Sequence, residues 1–447
     1  MNKTEPQVDN TGLPAQASKV LLMLVLALAL GAVSAAVVWA FVFAMGLSYE
    51  YLWHKLPALV ALPFIPVIIC AVGGLLIGLW EKFVWPPPLP LEQSLEIISK
   101  EKRFSYKGLP KTLVSSFLPL AFGGAVGPEA GLVNIIAGLC TWVGDKLKAF
   151  GVVSAELAEA GLAATLTAVF GAPLAGLIAP LEGRFATQGR ATDEPAPAPS
   201  PCPGTPGASP LSKHNKLLFY LAAVAGGLGV MLLLDYYLGG GLGLPRFERA
   251  GWEPGEILWS VPLALIGVVG GYLFHTANLF TGKLARSLKR FVVLRAVLCG
   301  LLIGLIGSFL PYTLFSGEEQ MGELMQSYST LGAWLLVATG AVKLCACPLC
   351  INLGWRGGNI FPVIFAGISL GYGIALLTGL DPVFCITVLA TSVTTAVMRK
   401  PVLSVAVLLL CFPVTSIVFM ALAALIAGAI PLLRVLRISE GGNTFSR

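Results

Sequence analysis

The chain has 447 residues, of which 56% are hydrophobic and only 12% charged, with a net charge of +6. A soluble globular chain carries about 25% charged residues, so most of this one never meets water and an ordinary soluble domain is excluded. The basic excess needs no nucleic acid to explain it, because its placement follows membrane topology.

In chain order, a polar stretch, 1–18, precedes Val20 to Met45, a run without a charged residue. A spanning helix needs about 20 such residues. The run is too long for a signal-peptide core and has no obvious small-residue cleavage site, so it reads as a retained span. Pro57 to Trp80 is a second uncharged run, and Lys82, Lys100, Lys102, Arg103, Lys107 and Lys111 crowd the connection behind it. Shorter apolar segments follow at 113–122, 129–143 and 157–181. Thr192 to Ser212, rich in Pro, Ala, Ser and Gly, is a linker that divides the chain. Beyond it lie 217–238, 258–282, 292–310, 331–352, 360–378, 383–398 and 401–433.

Lys283, Arg286, Lys289, Arg290 and Arg295 form a basic connection, as do Arg184, Arg190, Lys213 and Lys216, whereas Gly239–Ile257 and Pro311–Leu331 are acidic. Lys and Arg favour the cytoplasmic side, which puts the basic connections and both termini inside and the acidic connections outside. Many segments are short and broken by Gly and Pro. Such segments cross a membrane only where protein buries them or they line an aqueous cavity. The expected domains are a cytoplasmic segment 1–18, a first membrane repeat 19–185, a Pro-rich cytoplasmic linker 186–215, a second membrane repeat 216–435 and a cytoplasmic tail 436–447.

Each half carries a Gly-rich loop that opens an apolar helix: Gly123 to Gly131 reads GGAVGPEAG, and Gly354 to Pro362 reads GWRGGNIFP. Backbone N–H groups at a helix N-terminus, together with the positive end of the helix dipole, make an anion site. Glycine lets the backbone approach the ion. Two such loops in opposed repeats point at one site near mid-membrane. One loop alone is equally well explained by close helix packing.

These loops resemble the signatures of the CLC chloride channel and transporter family, G-[KR]-E-G-P and the later G-G-x-F-x-P. Ala172 to Gly176 resembles the family's N-A-P-L-A-G. The form is similar to a divergent bacterial branch of ion-transport proteins, and the resemblance runs from about residue 20 to 435. It implies an all-α, multi-pass, inverted-repeat fold with broken and re-entrant helices. It also implies a homodimer in the inner membrane with one anion pore per subunit, lined by the amides of Gly124, Ala125, Val126, Gly127, Asn359, Ile360 and Phe361.

The departures bear on mechanism. Val126 stands where the family has its gating glutamate, and Pro87 where a serine reaches the central anion. Glu182-Gly183 replaces a Glu-Glu proton relay, and Leu433 is the counterpart of a pore tyrosine. Lacking a carboxylate at Val126, the pore is expected to pass a small anion, chloride by default, passively. A proton-coupled antiporter using Glu129 or Glu182 is the alternative. Glu129, one turn beyond Val126, is either a displaced gate or a first-turn glutamate stabilised by its own helix dipole. Arg356 either draws anions to the mouth or pairs with a carboxylate. Lys343 either raises the local potential or snorkels, and Arg399–Lys400 anchors a helix end. A more distant alternative is a soft-metal transporter or sensor using Cys345, Cys347 and Cys350, residues otherwise read as small buried hydrophobes. No catalytic motif, cofactor or resident metal is implied.

Overall fold

A computed structural model describes residues 12–59, 64–90, 93–94, 97, 104–147, 213–238, 245–251 and 254–431. Glu182, Leu433, the 186–212 part of the linker and the 436–447 tail lie outside the described residues. The described residues form thirteen helices and no strand, and seven apolar stretches are long enough to cross a membrane.

The first half contains α1 (Gly12–Tyr49), α2 (Ile65–Phe83), α3 (Leu109–Ala121) and α4 (Glu129–Leu147). The second contains α5 (Lys213–Leu238), α6 (Ser260–Ser287), α7 (Val292–Phe309), α8 (Glu318–Ser327), α9 (Ala333–Asn352), α10 (Ile360–Thr378), α11 (Pro382–Met398), α12 (Pro401–Leu408) and α13 (Ile417–Ala429).

Several sequence boundaries shift for local reasons. Helix α1 starts at Gly12, inside the expected polar segment, and continues through a π-helical turn, Glu50–Lys55, to Leu59. The uncharged run 57–80 is therefore not one helix. The chain restarts at Phe64, left-handed at φ 59°, and Pro66 sets the first turn of α2. A fixed proline φ suits that position. The apolar run 401–433 splits into α12 and α13, with Pro413 between them. Helix α5 takes in Lys213 to Asn215, the last residues assigned to the linker.

Helix α1 lies along α5, and α2 along α7. At the first crossing Gly31 faces the Ala223 carbonyl and Gly226 the Leu28 carbonyl, with no room for a Cβ on either glycine. Small residues let membrane helices approach this closely. The outer faces of α1 and α5 show Leu21, Val25, Leu28, Leu232 and Leu233, the side chains a lipid contact wants. By contrast α10 is buried from Ile360 to Gly373 and α11 from Phe384 to Val397. A helix that is apolar all round belongs inside; α9, α6 and α13 wrap these two. Asp381 caps α11 by accepting from the Phe384 N–H at 2.7 Å. Arg399, left-handed at φ 57°, ends it. The Arg399 guanidinium donates to the Ile430 carbonyl at 2.9 Å, so this basic residue does tie helix ends together.

Candidate anion site

The two glycine loops meet. The Gly127 N–H donates to the Gly358 carbonyl at 2.8 Å and the Gly358 N–H to the Gly127 carbonyl at 2.7 Å, an isolated antiparallel bridge. Two residues past each glycine a helix begins, α4 at Glu129 and α10 at Ile360. Side chains hold the loops in place. Trp53 Nε1 donates to the Ala121 carbonyl at 3.0 Å, and the buried Trp355 indole donates to the Ala296 carbonyl at 2.9 Å. The Phe315 amide reaches the Gly123 carbonyl at 3.2 Å.

Glu129 is fully buried. Its Oε1 accepts from the Ile360 N–H at 2.7 Å, and the Phe361 amide also bonds to the carboxylate. Its Oε2 has no hydrogen-bond partner among the described residues. The carboxylate thus reaches across the bridge to the opposite helix, and the dipole it meets is that of α10 as well as its own. Helix N-termini hold anions with such donors, and here the Glu129 carboxylate takes them.

The other expected amides divide. Gly124 N–H donates to Pro119 O at 2.8 Å, Val126 N–H to Gly124 O at 2.8 Å and Gly127 N–H to Gly358 O. These three, read from sequence as anion donors, are spent inside the protein. Ile360 and Phe361 are the amides aimed at a negative charge. Val126 and Ala125 are fully buried, and Val126 packs on Gly357.

Gly358 and Gly127 border the carboxylate so closely that a Cβ on either would strike Glu129. Gly358→Ala is therefore expected to cost about 1–3 kcal/mol by overpacking and to push the carboxylate off Ile360. Gly428, whose added Cβ would meet nothing nearer than Pro401 at 3.7 Å, serves as the neutral control. Thermal unfolding of the two alanine variants in detergent checks this.

Pro87 lines a cleft with Trp80, Glu81, Trp85, Ser115 and Gly354. Trp80 Nε1 donates to Ser115 Oγ at 2.9 Å, so the hydroxyl in this cleft comes from Ser115, which sequence reading missed. Glu81 accepts from Arg295 Nη2 through both oxygens, at 2.6 and 2.8 Å. Arg356, in the second loop, lies in the field of both.

Arg295 corrects an expectation: placed by sequence in a cytoplasmic basic cluster, it is buried in α7. A charge within an otherwise apolar run was the signal. Lys343 does not snorkel. It is fully buried and donates to the Tyr312 and Leu314 carbonyls at 2.9 Å each, over the Phe365 ring.

The soft-metal alternative fails on geometry. Helical periodicity turns Cys345 away from Cys347 and Cys350. Cys350 instead lies beside Cys299 and Cys70. Among the described residues no three His, Cys, Asp or Glu side chains are grouped to hold a metal.

Known proteins resemble this chain over most of its length. The model of the voltage gated chloride channel family matches residues 73–191 and 208–431. "Putative ion-transport protein YfeO" of Salmonella schwarzengrund (strain CVM19633) is 27% identical over 367 residues, covering 80% of this chain and 81% of that protein. Among solved structures, a slow cyanobacterial Cl-/H+ antiporter superposes with TM-score 0.70 at 17% identity, over 94% of this chain and 95% of its own. A CLC-type fluoride/proton antiporter gives 0.65 at 19% identity, over 93% and 95%. The chain belongs to the voltage gated chloride channel family, and its fold is the all-α, multi-pass, inverted-repeat one.

Proposed function

We propose that this member of the chloride channel family carries a small anion, chloride in the first instance, between the paired glycine loops, and that Glu129 gates the path. The observation that carries this reading is the Glu129 carboxylate seated on the Ile360 N–H at 2.7 Å. An arriving anion and the carboxylate compete for the same donors, so the site opens when Glu129 withdraws or takes a proton. The amides bind without a full positive charge, which keeps the ion exchangeable. Arg295 and Arg356, offset by Glu81, leave a positive excess near Pro87 that draws anions toward this cleft.

Passive conduction is what an aliphatic Val126 leads one to expect. A titratable group in the anion's place favours proton-linked transport instead, in line with the antiporters that share the fold. The charge bias favours an orientation with the termini cytoplasmic and α8 outside, and the inner membrane is the membrane that goes with this reading. The family fold implies a homodimer.

Proteoliposomes loaded with chloride, with external chloride and pH recorded together, test the reading. Chloride efflux with accompanying proton movement is the expected result, and rapid efflux with no proton movement restores the passive pore. Fluoride loading under the same conditions discriminates between the two anions.

A further inference from the structure

The acidic connection before α9 is not a loop: it folds as α8, whose first residue is Glu318. Glu318 Oε1 is buried and has no hydrogen-bond partner among the described residues, and the same is true of Glu129 Oε2. The segment that leads into α8 touches the first glycine loop, the Phe315 N–H donating to the Gly123 carbonyl at 3.2 Å, and the Glu129 charge acts on the Glu318 carboxyl. The charges that act on Glu318 are both negative, Glu129 and Glu319. Around them, Glu319 is influenced by Glu323 and His54, and Tyr49 bonds Gln320 and faces Glu319 and Glu323.

Lys343 donates to the Tyr312 and Leu314 carbonyls and so fixes the segment that leads into α8. Two carboxylates that each have a buried, unpartnered oxygen, one lying in the field of the other, cannot both ionise cheaply, and one shared proton relieves both.

We propose that Glu318 and Glu129 form one proton-sharing pair, Glu318 taking protons from the face that α8 covers and handing them to Glu129. Burial, and then the Glu129 charge, raise the Glu318 carboxyl well above the ordinary range, so it holds a proton at a pH where an exposed glutamate does not. The step moves one proton and breaks no other bond. A proton from water binds a Glu318 oxygen, passes to Oε2 of Glu129, and leaves Glu318 ionised for the next. Neutral Glu129 is the weaker acceptor, and the Ile360 and Phe361 amides turn to the anion. The proposal rests on Glu129 being the gate.

The test uses full-length protein in proteoliposomes, as wild type, Glu318→Gln, Glu318→Asp and Glu129→Gln. In Glu318→Gln, proton flux is expected to fall about a hundredfold, as for loss of a proton-transfer group. The external pH for half-maximal chloride efflux should move down by about one unit. Glu318→Asp should recover part of both. Infrared difference spectra should show the protonated-carboxyl band altered in Glu318→Gln, which a purely structural role would not do. Wild-type proton flux and pH dependence in Glu318→Gln overturn the pair. If Glu129→Gln still removes the pH dependence in that case, the gate stands and only Glu318 falls. Wild-type behaviour of Glu129→Gln overturns the gate, and the pair with it.

Discussion

Chloride efflux through Glu129→Ala is expected to run about tenfold faster than through the wild type at neutral external pH, an ordinary coupling free energy, and to lose its dependence on pH. The carboxylate accepts from Ile360 at 2.7 Å and is bonded by Phe361 as well. Alanine leaves those donors to the anion at every pH. The sign follows from charge: lowering pH neutralises the wild-type carboxylate and approaches the alanine variant, while raising pH separates the two. Stopped-flow or electrode recording of efflux from paired proteoliposome preparations checks this. Slower efflux in the variant would mean that Glu129 holds the loops together and does not block them.

The largest effect on stability is expected at Arg295. Its guanidinium side chain is 8% exposed and its partner Glu81 17%. Removing one member of a buried pair strands the other and costs about 3–5 kcal/mol. The lower figure applies here, because Glu81 keeps some contact with water. Arg295→Met should therefore unfold at a clearly lower temperature in detergent. Arg295→Met with Glu81→Gln should recover most of the loss, since the two residues share one interaction.

Lys343→Met is expected to be milder, about 1–3 kcal/mol for the buried carbonyls it leaves unsatisfied. Its effect should appear first as faster amide exchange at Leu314 to Gly317 and in α8.

The glycine loops were legible because the backbone itself makes the chemistry. Gly127 and Gly358 pair, and the Glu129 carboxylate fills the space where either would carry a Cβ; no other residue type would leave that room. The apolar runs foretold most helices but not their breaks, since hydropathy does not register a turn such as the left-handed one at Phe64.

Charges were the hardest to place. Arg295 follows four basic residues in sequence but pairs with Glu81, more than two hundred residues away. A polar stretch like 318–327 reads as a bare external connection, and hydropathy does not show that it folds as a helix. Glu129 was visible as a candidate. What sequence spacing could not give was its direction, because the partner amide belongs to the other half of the chain.

The claim that a protein carboxylate and the transported anion share one site is tested most directly by calorimetric titration of chloride into purified wild-type protein across a range of pH. Binding that tightens as pH falls, with protons taken up as chloride binds, is the result this account predicts. Chloride affinity that is independent of pH, with no proton uptake, would contradict it.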